Sequence, residues 1–186
     1  MRKLLILMAM MVATTTHAQG VIDVHTHIIT PEFVSALESE GRLLDEGFPL
    51  PKWEAEAQLQ WMDEAGISTS VLTMAAPLPT SAKVIRETNE AAAKLKREHP
   101  GRFRFCAALP LPDVNAAIEE ARYALDVLDA DGIKLATNSF GQYLGAPELD
   151  TLFSFLNERN ALIILHPHRP EPVNRQVMRQ TPLAMQ

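Results

Sequence analysis

The sequence contains a single cysteine, so an intramolecular disulfide and a cysteine-rich zinc site are both excluded. Positive charge is also scarce. Lysine and arginine total 17 residues against 23 aspartate and glutamate residues, for a formal net charge of −6. This balance argues against a nucleic-acid partner, because nucleic-acid-binding proteins usually present a basic surface. No GxGxxG or GxxxxGK[ST] motif is present, so neither a dinucleotide site nor a P-loop is indicated.

Long apolar runs are missing as well. The longest, residues 4–13, is too short to anchor a chain in a bilayer, which requires roughly 20 residues. Arg2 and Lys3 precede this run and small residues follow it, which is the layout of a secretory signal peptide. We therefore predict that residues 1–18 are removed on export and that the mature protein is periplasmic or secreted, with no membrane partner. An uncleaved anchor or an N-terminal helix is the alternative.

The rest of the composition is that of a folded globular protein. Hydrophobic residues make up 47% of the 186 residues and charged residues 22%. This length suits one domain, which we place at residues 19–186. The lone cysteine, Cys106, falls in a strand-like segment, where a small buried hydrophobic role is expected.

Strand-like and helix-like segments alternate along this domain. Strands are predicted over residues 21–25, 67–74, 103–109, 132–136 and 161–165. Helices are predicted between them, over about residues 31–41, 53–65, 81–98, 113–128 and from 147 onward. Such alternation is typical of right-handed βαβ units and a parallel sheet, that is, of the α/β class.

The length of the repeating unit distinguishes two kinds of parallel sheet. About 35 residues separate successive strands, close to the roughly 31 per unit of a (β/α)8 barrel. We therefore predict a partial TIM-like (β/α)8 barrel with five parallel strands in sequential order and helices outside. An open doubly wound sheet is the alternative, although it usually carries a glycine-rich phosphate loop.

Histidines occur at the ends of two predicted strands. His25 and His27 lie two residues apart and therefore point to the same face of the first strand. His166 directly follows the apolar fifth strand. Active sites of barrels are built at the carboxyl ends of the strands, and imidazole is a good ligand for zinc. The pattern therefore predicts a metal site, with surface or strand-end histidines as the alternative.

Four stretches together resemble a known family. Residues 21–33, 132–138, 143–150 and 164–167 are similar to the amidohydrolase superfamily, in particular to the group that includes aminocarboxymuconate-semialdehyde decarboxylase. The resemblance implies a TIM-like barrel that binds one divalent metal, commonly zinc.

The resemblance also implies a set of site residues. The family's metal ligands are an HxH pair, a histidine ending strand five and an aspartate ending strand eight, and a histidine ending strand six acts in catalysis. By resemblance, His25, His27 and His166 are the first three ligands. The aspartate and the catalytic histidine have no counterparts here, so no catalytic residue is assigned. We therefore expect the chain to be the N-terminal part of a longer barrel.

Other polar residues are candidates for the same site. In some amidohydrolases a strand-four lysine is carbamylated and bridges two metals, and Lys134 lies in the fourth predicted strand. The alternative is a lysine paired with a nearby carboxylate. Thr137, Asn138 and His168 are predicted to line a polar pocket, to which Asn89 is a further candidate.

Three functions remain open at this point. The resemblance implies non-oxidative decarboxylation of an unsaturated or aromatic small-molecule carboxylic acid. A metal-dependent hydrolase of an amide, ester or lactone is the second, and an inactive truncated fragment is the third. Five strands of a barrel leave two open edges, which predicts a poorly soluble chain or a homo-oligomer.

Overall fold

The five predicted strands form a single parallel sheet. A computed structural model of the chain describes residues 20–42, 44–45 and 48–168. The strands are β1 (Val21–Ile28), β2 (Ile67–Met74), β3 (Phe103–Ala108), β4 (Gly132–Ala136) and β5 (Ile163–His166). They are ordered β1-β2-β3-β4-β5, and every neighbouring pair is parallel. The predicted sequential order is confirmed; the predicted signal peptide and the end of the chain lie outside the described residues.

Within the described residues, five α-helices connect the strands. They are α1 (Pro31–Ser39), α2 (Ala55–Ala65), α3 (Ala82–Glu98), α4 (Val114–Asp126) and α5 (Asp150–Glu158), and a 3-10 turn at Pro147–Leu149 leads into α5. Among the residues that the structure describes, no helix combines the length and the hydropathy needed to cross a membrane.

The helix boundaries follow local chemistry. The side chains of Thr30, Ser81 and Asp113 accept hydrogen bonds from the backbone N–H three residues later, so each caps a helix. Gly66 ends α2 with a left-handed φ of 69°. The predicted start of α2 was two residues early, because Glu54 keeps an extended backbone.

Two segments that lie between the predicted helices and strands contain short antiparallel pairs. Leu44–Asp45 pairs with Phe48–Pro49, and Asn138–Ser139 pairs with Gln142–Tyr143. In the second pair Phe140 and Gly141 both have positive φ, at 50° and 83°. Two successive positive φ values are typical of the type I′ turn that joins the strands of a two-residue hairpin. The usual sequence of such a turn is Asn-Gly or Asp-Gly, and here only the glycine is present.

The main core lies between the sheet and the helices. Phe103, Phe105 and Ile133 are at most 1% exposed and pack with residues of the surrounding helices. Burying each such side chain contributes about 1.5–3 kcal/mol. Alternate residues of the same strands point to the opposite, concave face. The helix side therefore stabilises the sheet and leaves its concave face for polar residues.

Candidate metal centre

Three histidines from the two outermost strands meet at one point. The Nε2 atoms of His25 and His166 are 3.0 Å apart, and one ring nitrogen from each of His25, His27 and His166 lies within 4.8 Å of the others. In a flat sheet, β1 and β5 would be four strand spacings apart, about 19 Å. The contact therefore requires a curled sheet, as in a barrel, and the open-sheet alternative is wrong.

An irregularity in β1 orients the first two histidines. The Asp23 carboxylate accepts hydrogen bonds from the His25 backbone N–H at 2.9 Å and from the Thr26 hydroxyl at 2.8 Å. The register between β1 and β2 shifts between Asp23 and Thr26. The rings of His25 and His27 nevertheless share the concave face, with centroids 5.0 Å apart.

His27 is held in its neutral form. Burial, together with the nearby His166 and Lys134, lowers its pKa to about 4. Its Nδ1 lies 3.0 Å from the hydroxyl of Thr73, its register partner on β2. Because only a neutral imidazole binds a metal, His27 is ready to bind one at neutral pH.

His166 presents its other nitrogen to the centre. Its Nδ1 is 2.7 Å from the carbonyl oxygen of Pro167, which can only accept, so Nδ1 carries the proton. Burial and the Lys134 charge lower the pKa of His166, which also favours the neutral ring. The Nε2 lone pair is then free, and in the 3.0 Å contact the donor must be His25 Nε2. A metal ion can take the place of that proton.

The donor set fits a divalent metal with nitrogen preference. Zinc–imidazole bonds of about 2.0–2.1 Å in tetrahedral geometry put ligand nitrogens about 3.3 Å apart, close to the His25–His166 separation. Three protein ligands with one open position are the usual arrangement of a catalytic zinc site. No cysteine, aspartate or glutamate joins the three histidines in the part of the chain that the structure describes.

The predicted pocket residues lie close to this centre. Lys134 is 1% exposed, and its neighbours Ile133 and Leu135 pack on the helix side, so Lys134 points to the concave face with the histidines. Lys134, Asn138 and His168 line one narrow cavity. That Lys134 is carbamylated and bridges two metals stays a prediction.

Thr137 and Asn138 fasten the backbone that follows β5. Asn138 Nδ2 donates to the His168 carbonyl at 2.8 Å, the His168 N–H donates to Thr137 Oγ1 at 3.0 Å, and the Thr137 N–H donates to the His166 carbonyl at 2.9 Å. These bonds keep the end of β5, and with it His166, against the end of β4.

The remaining candidate, Asn89, lies elsewhere. Asn89 exchanges two 3.0 Å hydrogen bonds with the backbone of Ala108 and donates to Glu120 at 2.8 Å, so it is a buried link between α3, β3 and α4. Its assignment to the pocket is therefore replaced by a structural role. His99 packs against Phe103 at the end of α3, away from the centre.

Sequence reasoning missed three parts of the site. Asp23 lies two residues before His25, and the same alternation that found the histidines could have found it. The contact of Thr73 with His27 depends on strand register, which no local pattern reveals. A cleft of about 360 Å³ beside His25 and His27 is lined by Trp53 from the loop before α2 and by Trp61 from α2.

Curated proteins similar to this chain carry decarboxylase names. Decarboxylase yanB of Aspergillus niger is 43% identical over 158 residues, covering 78% of this chain and 43% of that protein. The 6-methylsalicylic acid decarboxylase acuB of Aspergillus aculeatus is 35% identical over 161 residues, covering 81% and 48% respectively. A 2-amino-3-carboxymuconate-6-semialdehyde decarboxylase of Dictyostelium discoideum is 22% identical over 173 residues, covering 78% and 48%. The chain therefore spans about half the length of these curated relatives.

Solved structures share the fold. An amidohydrolase II structure aligns with a TM-score of 0.76 and 30% identity, covering 80% of this chain and 51% of that one. A dihydroxybenzoic acid decarboxylase of Polaromonas sp. JS666, solved with manganese and 2-nitroresorcinol, aligns with a TM-score of 0.67 and 23% identity, covering 87% and 53%. The amidohydrolase family model matches residues 22–182. Because that match takes in all five strands, the chain belongs to the amidohydrolase family, as the motifs around its histidines predict.

Proposed function

We propose that this chain supplies the three-histidine part of the active site of a metal-dependent decarboxylase that acts on an aromatic carboxylic acid. The observation that carries the proposal is the convergence of His25, His27 and His166 at the carboxyl ends of β1 and β5. The names of the two fungal relatives support decarboxylation, and 6-methylsalicylic acid indicates the substrate class.

The chemistry divides between the metal and the chain. In non-oxidative decarboxylation the bond from the ring to the carboxyl carbon breaks, its electron pair stays on the ring carbon, a proton bonds there, and carbon dioxide leaves. His25, His27 and His166 would hold a divalent metal, which would supply positive charge to a carboxylate or an adjacent oxygen and to the negative charge that develops. Lys134 adds a second positive charge beside His27 and His166. No proton donor is assigned among the described residues.

The cleft beside the histidines suits an aromatic ring. Trp53 and Trp61 line it together with Leu50, and His25 and His27 also border it. Indole side chains stack on aromatic ligands and exclude water from them. We therefore propose that the substrate ring lies against these side chains while its carboxylate faces the metal.

The identity of the metal is a second part of the proposal. Three imidazole nitrogens favour zinc, because manganese prefers oxygen ligands. The Polaromonas decarboxylase was solved with manganese, so manganese is the competing choice. Competition between the two metals for the purified chain, followed by elemental analysis, decides between them; retention of manganese against equimolar zinc would contradict the proposal.

Activity is tested on the metal-loaded chain, alone and co-expressed with the C-terminal half of the Aspergillus aculeatus decarboxylase. The assay measures carbon dioxide and ring product from 6-methylsalicylic acid. We expect the co-expressed pair to form both products, and the chain alone to be at least about 100-fold slower, because losing one acid–base group alone costs about 10²–10⁴. Release of a new carboxylate from an ester or lactone, without carbon dioxide, would favour the hydrolase. A pair that binds metal and turns over neither substrate class would favour an inactive fragment.

Export is proposed on sequence grounds alone. Arg2, Lys3 and the apolar residues 4–13 support removal of residues 1–18. Expression of the complete reading frame in a bacterium, followed by intact-mass measurement of the periplasmic fraction, tests the cleavage. A mass that retains Met1 would exclude it. Gel filtration of the same sample tests the homo-oligomer.

A further inference from the structure

Thr73 contacts the side chain of the candidate ligand His27 and the backbone carbonyl of Thr26, the residue before it. It lies on β2 directly across from His27 in the register of the two strands, and it is 2% exposed. Its Oγ1 is 3.0 Å from His27 Nδ1 and 3.3 Å from the carbonyl oxygen of Thr26. One buried hydroxyl therefore serves two polar groups of β1.

Counting hydrogens decides the direction of both bonds. A threonine hydroxyl has one hydrogen to donate and lone pairs with which to accept. The carbonyl oxygen of Thr26 can only accept, so a hydrogen bond there uses the single hydroxyl hydrogen. Oγ1 can then only accept from His27, which requires the proton on Nδ1 and leaves the lone pair on Nε2.

We infer that Thr73 is a positioning residue: its hydroxyl fixes the tautomer and ring orientation of His27, so that Nε2 faces the other two histidines. The inference rests on the metal site proposed above and deepens it. Pro167 does the same for His166, but through a backbone carbonyl that no substitution removes cleanly. Thr73 is thus the place where the preorganisation of this centre can be altered by mutation.

Two substitutions separate the hydroxyl from the shape of the side chain. Thr73→Val keeps the branched shape and removes the hydroxyl, and Thr73→Ser keeps the hydroxyl and removes a methyl group. Groups that orient metal-binding histidines typically contribute about 10–100-fold to metal affinity. We expect Thr73→Val to weaken zinc binding, measured by competition with a chromophoric chelator, by that factor, and Thr73→Ser to bind within a few-fold of the native chain.

The matched control is Thr69→Val on the same strand. The Thr69 hydroxyl also donates to a backbone carbonyl, that of Gly101, at 2.8 Å, and within the described residues no hydrogen bond joins it to a histidine. Thermal unfolding of all variants without metal separates a loss of fold from a loss of affinity. Equal zinc affinity in Thr73→Val and Thr69→Val would overturn the inference.

The tautomer is measured directly on the native chain. Long-range ¹H–¹⁵N spectra of the metal-free native chain, recorded well above the ordinary histidine pKa of about 6.5, show which ring nitrogen carries hydrogen. His27→Asn identifies the signals. We expect His27 to carry its proton on Nδ1; a proton on Nε2 overturns the inference. Failure of the native chain to bind any divalent metal would overturn the proposed metal site and leave this measurement decisive for Thr73.

Discussion

The three middle strands and the two outer strands of the sheet have different environments. All five residues of β4 are buried, whereas Val21, Ile22 and Val24 of β1 are 59–60% exposed and Leu165 of β5 is 57% exposed. Yet the three metal-ligand candidates all come from the outer strands. The edges of the sheet supply the candidate ligands, and the middle supplies most of the packing, with Thr73 and Lys134 placed beside those ligands.

This division has a geometric reason. In the described sheet β1 and β5 share no backbone pairing, because β2, β3 and β4 lie between them. The distance between His25 and His166 is therefore set by the curvature of the middle strands, which in turn depends on how their outer faces pack on the helices. Damage to the middle should alter both fold and site, whereas damage to an edge should alter the site alone.

The largest expected change in stability comes from truncating a core side chain on the helix side of the middle strands. Phe105 on β3 is 1% exposed, and Phe105→Ala should destabilise the chain by about 3–5 kcal/mol. Leu165→Ala on the exposed edge is the control and should change stability by less than about 0.5 kcal/mol. Urea unfolding followed by circular dichroism measures both. Similar losses in the two variants would contradict the division between middle and edge.

The next effect concerns an edge ligand. His166→Ala removes one of three imidazoles and should weaken zinc binding by more than about 100-fold, since changes beside the ligands alone give about 10–100-fold. Stability without metal should change little, because His166 is half-buried at the end of an edge strand. Isothermal titration with zinc checks the affinity, and His99→Ala, a histidine outside the centre, is the control. Unchanged affinity in His166→Ala would remove this histidine from the site.

Much of the middle of the sheet could be predicted from sequence, and less of the edges. The apolar runs of β2, β3 and β4 and the capping residues Thr30 and Ser81 are local signals, which is why the order of strands and helices was predicted correctly. Local chemistry determines them, and the alternation then limits the topology.

The candidate site also has a part that the sequence predicts and a part that it does not. His25, His27 and His166 were found because strand alternation and strand ends are visible in the sequence. The partners of these histidines depend on register and curvature: Thr73 is 46 residues away from His27 along the chain. Asn89 was misassigned because a polar residue of a helix can equally face a pocket or bond to a strand backbone, and only tertiary packing decides.

A smaller effect is expected at Cys106 in the middle of β3. Burial, with the charge of Asp131 adding to it, raises the pKa of this thiol to about 11. The reactive thiolate is therefore about 100-fold scarcer than for an ordinary thiol, because each pKa unit is about tenfold. Iodoacetamide should modify native Cys106 far more slowly than the urea-unfolded chain. In a Cys106→Ala background, Leu165→Cys on the exposed edge should react rapidly, and equal native rates would contradict the burial of β3.

The smallest effect concerns the charged link at the start of the middle strands. Asp131 precedes β4, accepts from the Phe105 N–H at 3.1 Å and pairs with Lys96 at 3.1 Å and with Arg104. Burial raises the pKa of Asp131, but these three partners together outweigh it and hold the pKa below its ordinary value. A lowered pKa means stability that is present above the unfolded value of about 3.9 and lost as pH falls through the folded value.

Asp131→Asn should therefore reduce stability at neutral pH, by less than about 1 kcal/mol because Arg104 and part of the carboxylate are exposed, and should flatten the acid limb of the stability curve. Urea unfolding between about pH 3 and pH 7 measures both changes, a range that brackets the ordinary carboxyl pKa. Asp63→Asn is the control, because Asp63 is 69% exposed in its pair with Arg102, and screening by water leaves such pairs with little effect. If the two variants have parallel curves, Asp131 does not couple β3 to β4, and the middle of the sheet is stabilised by apolar packing alone.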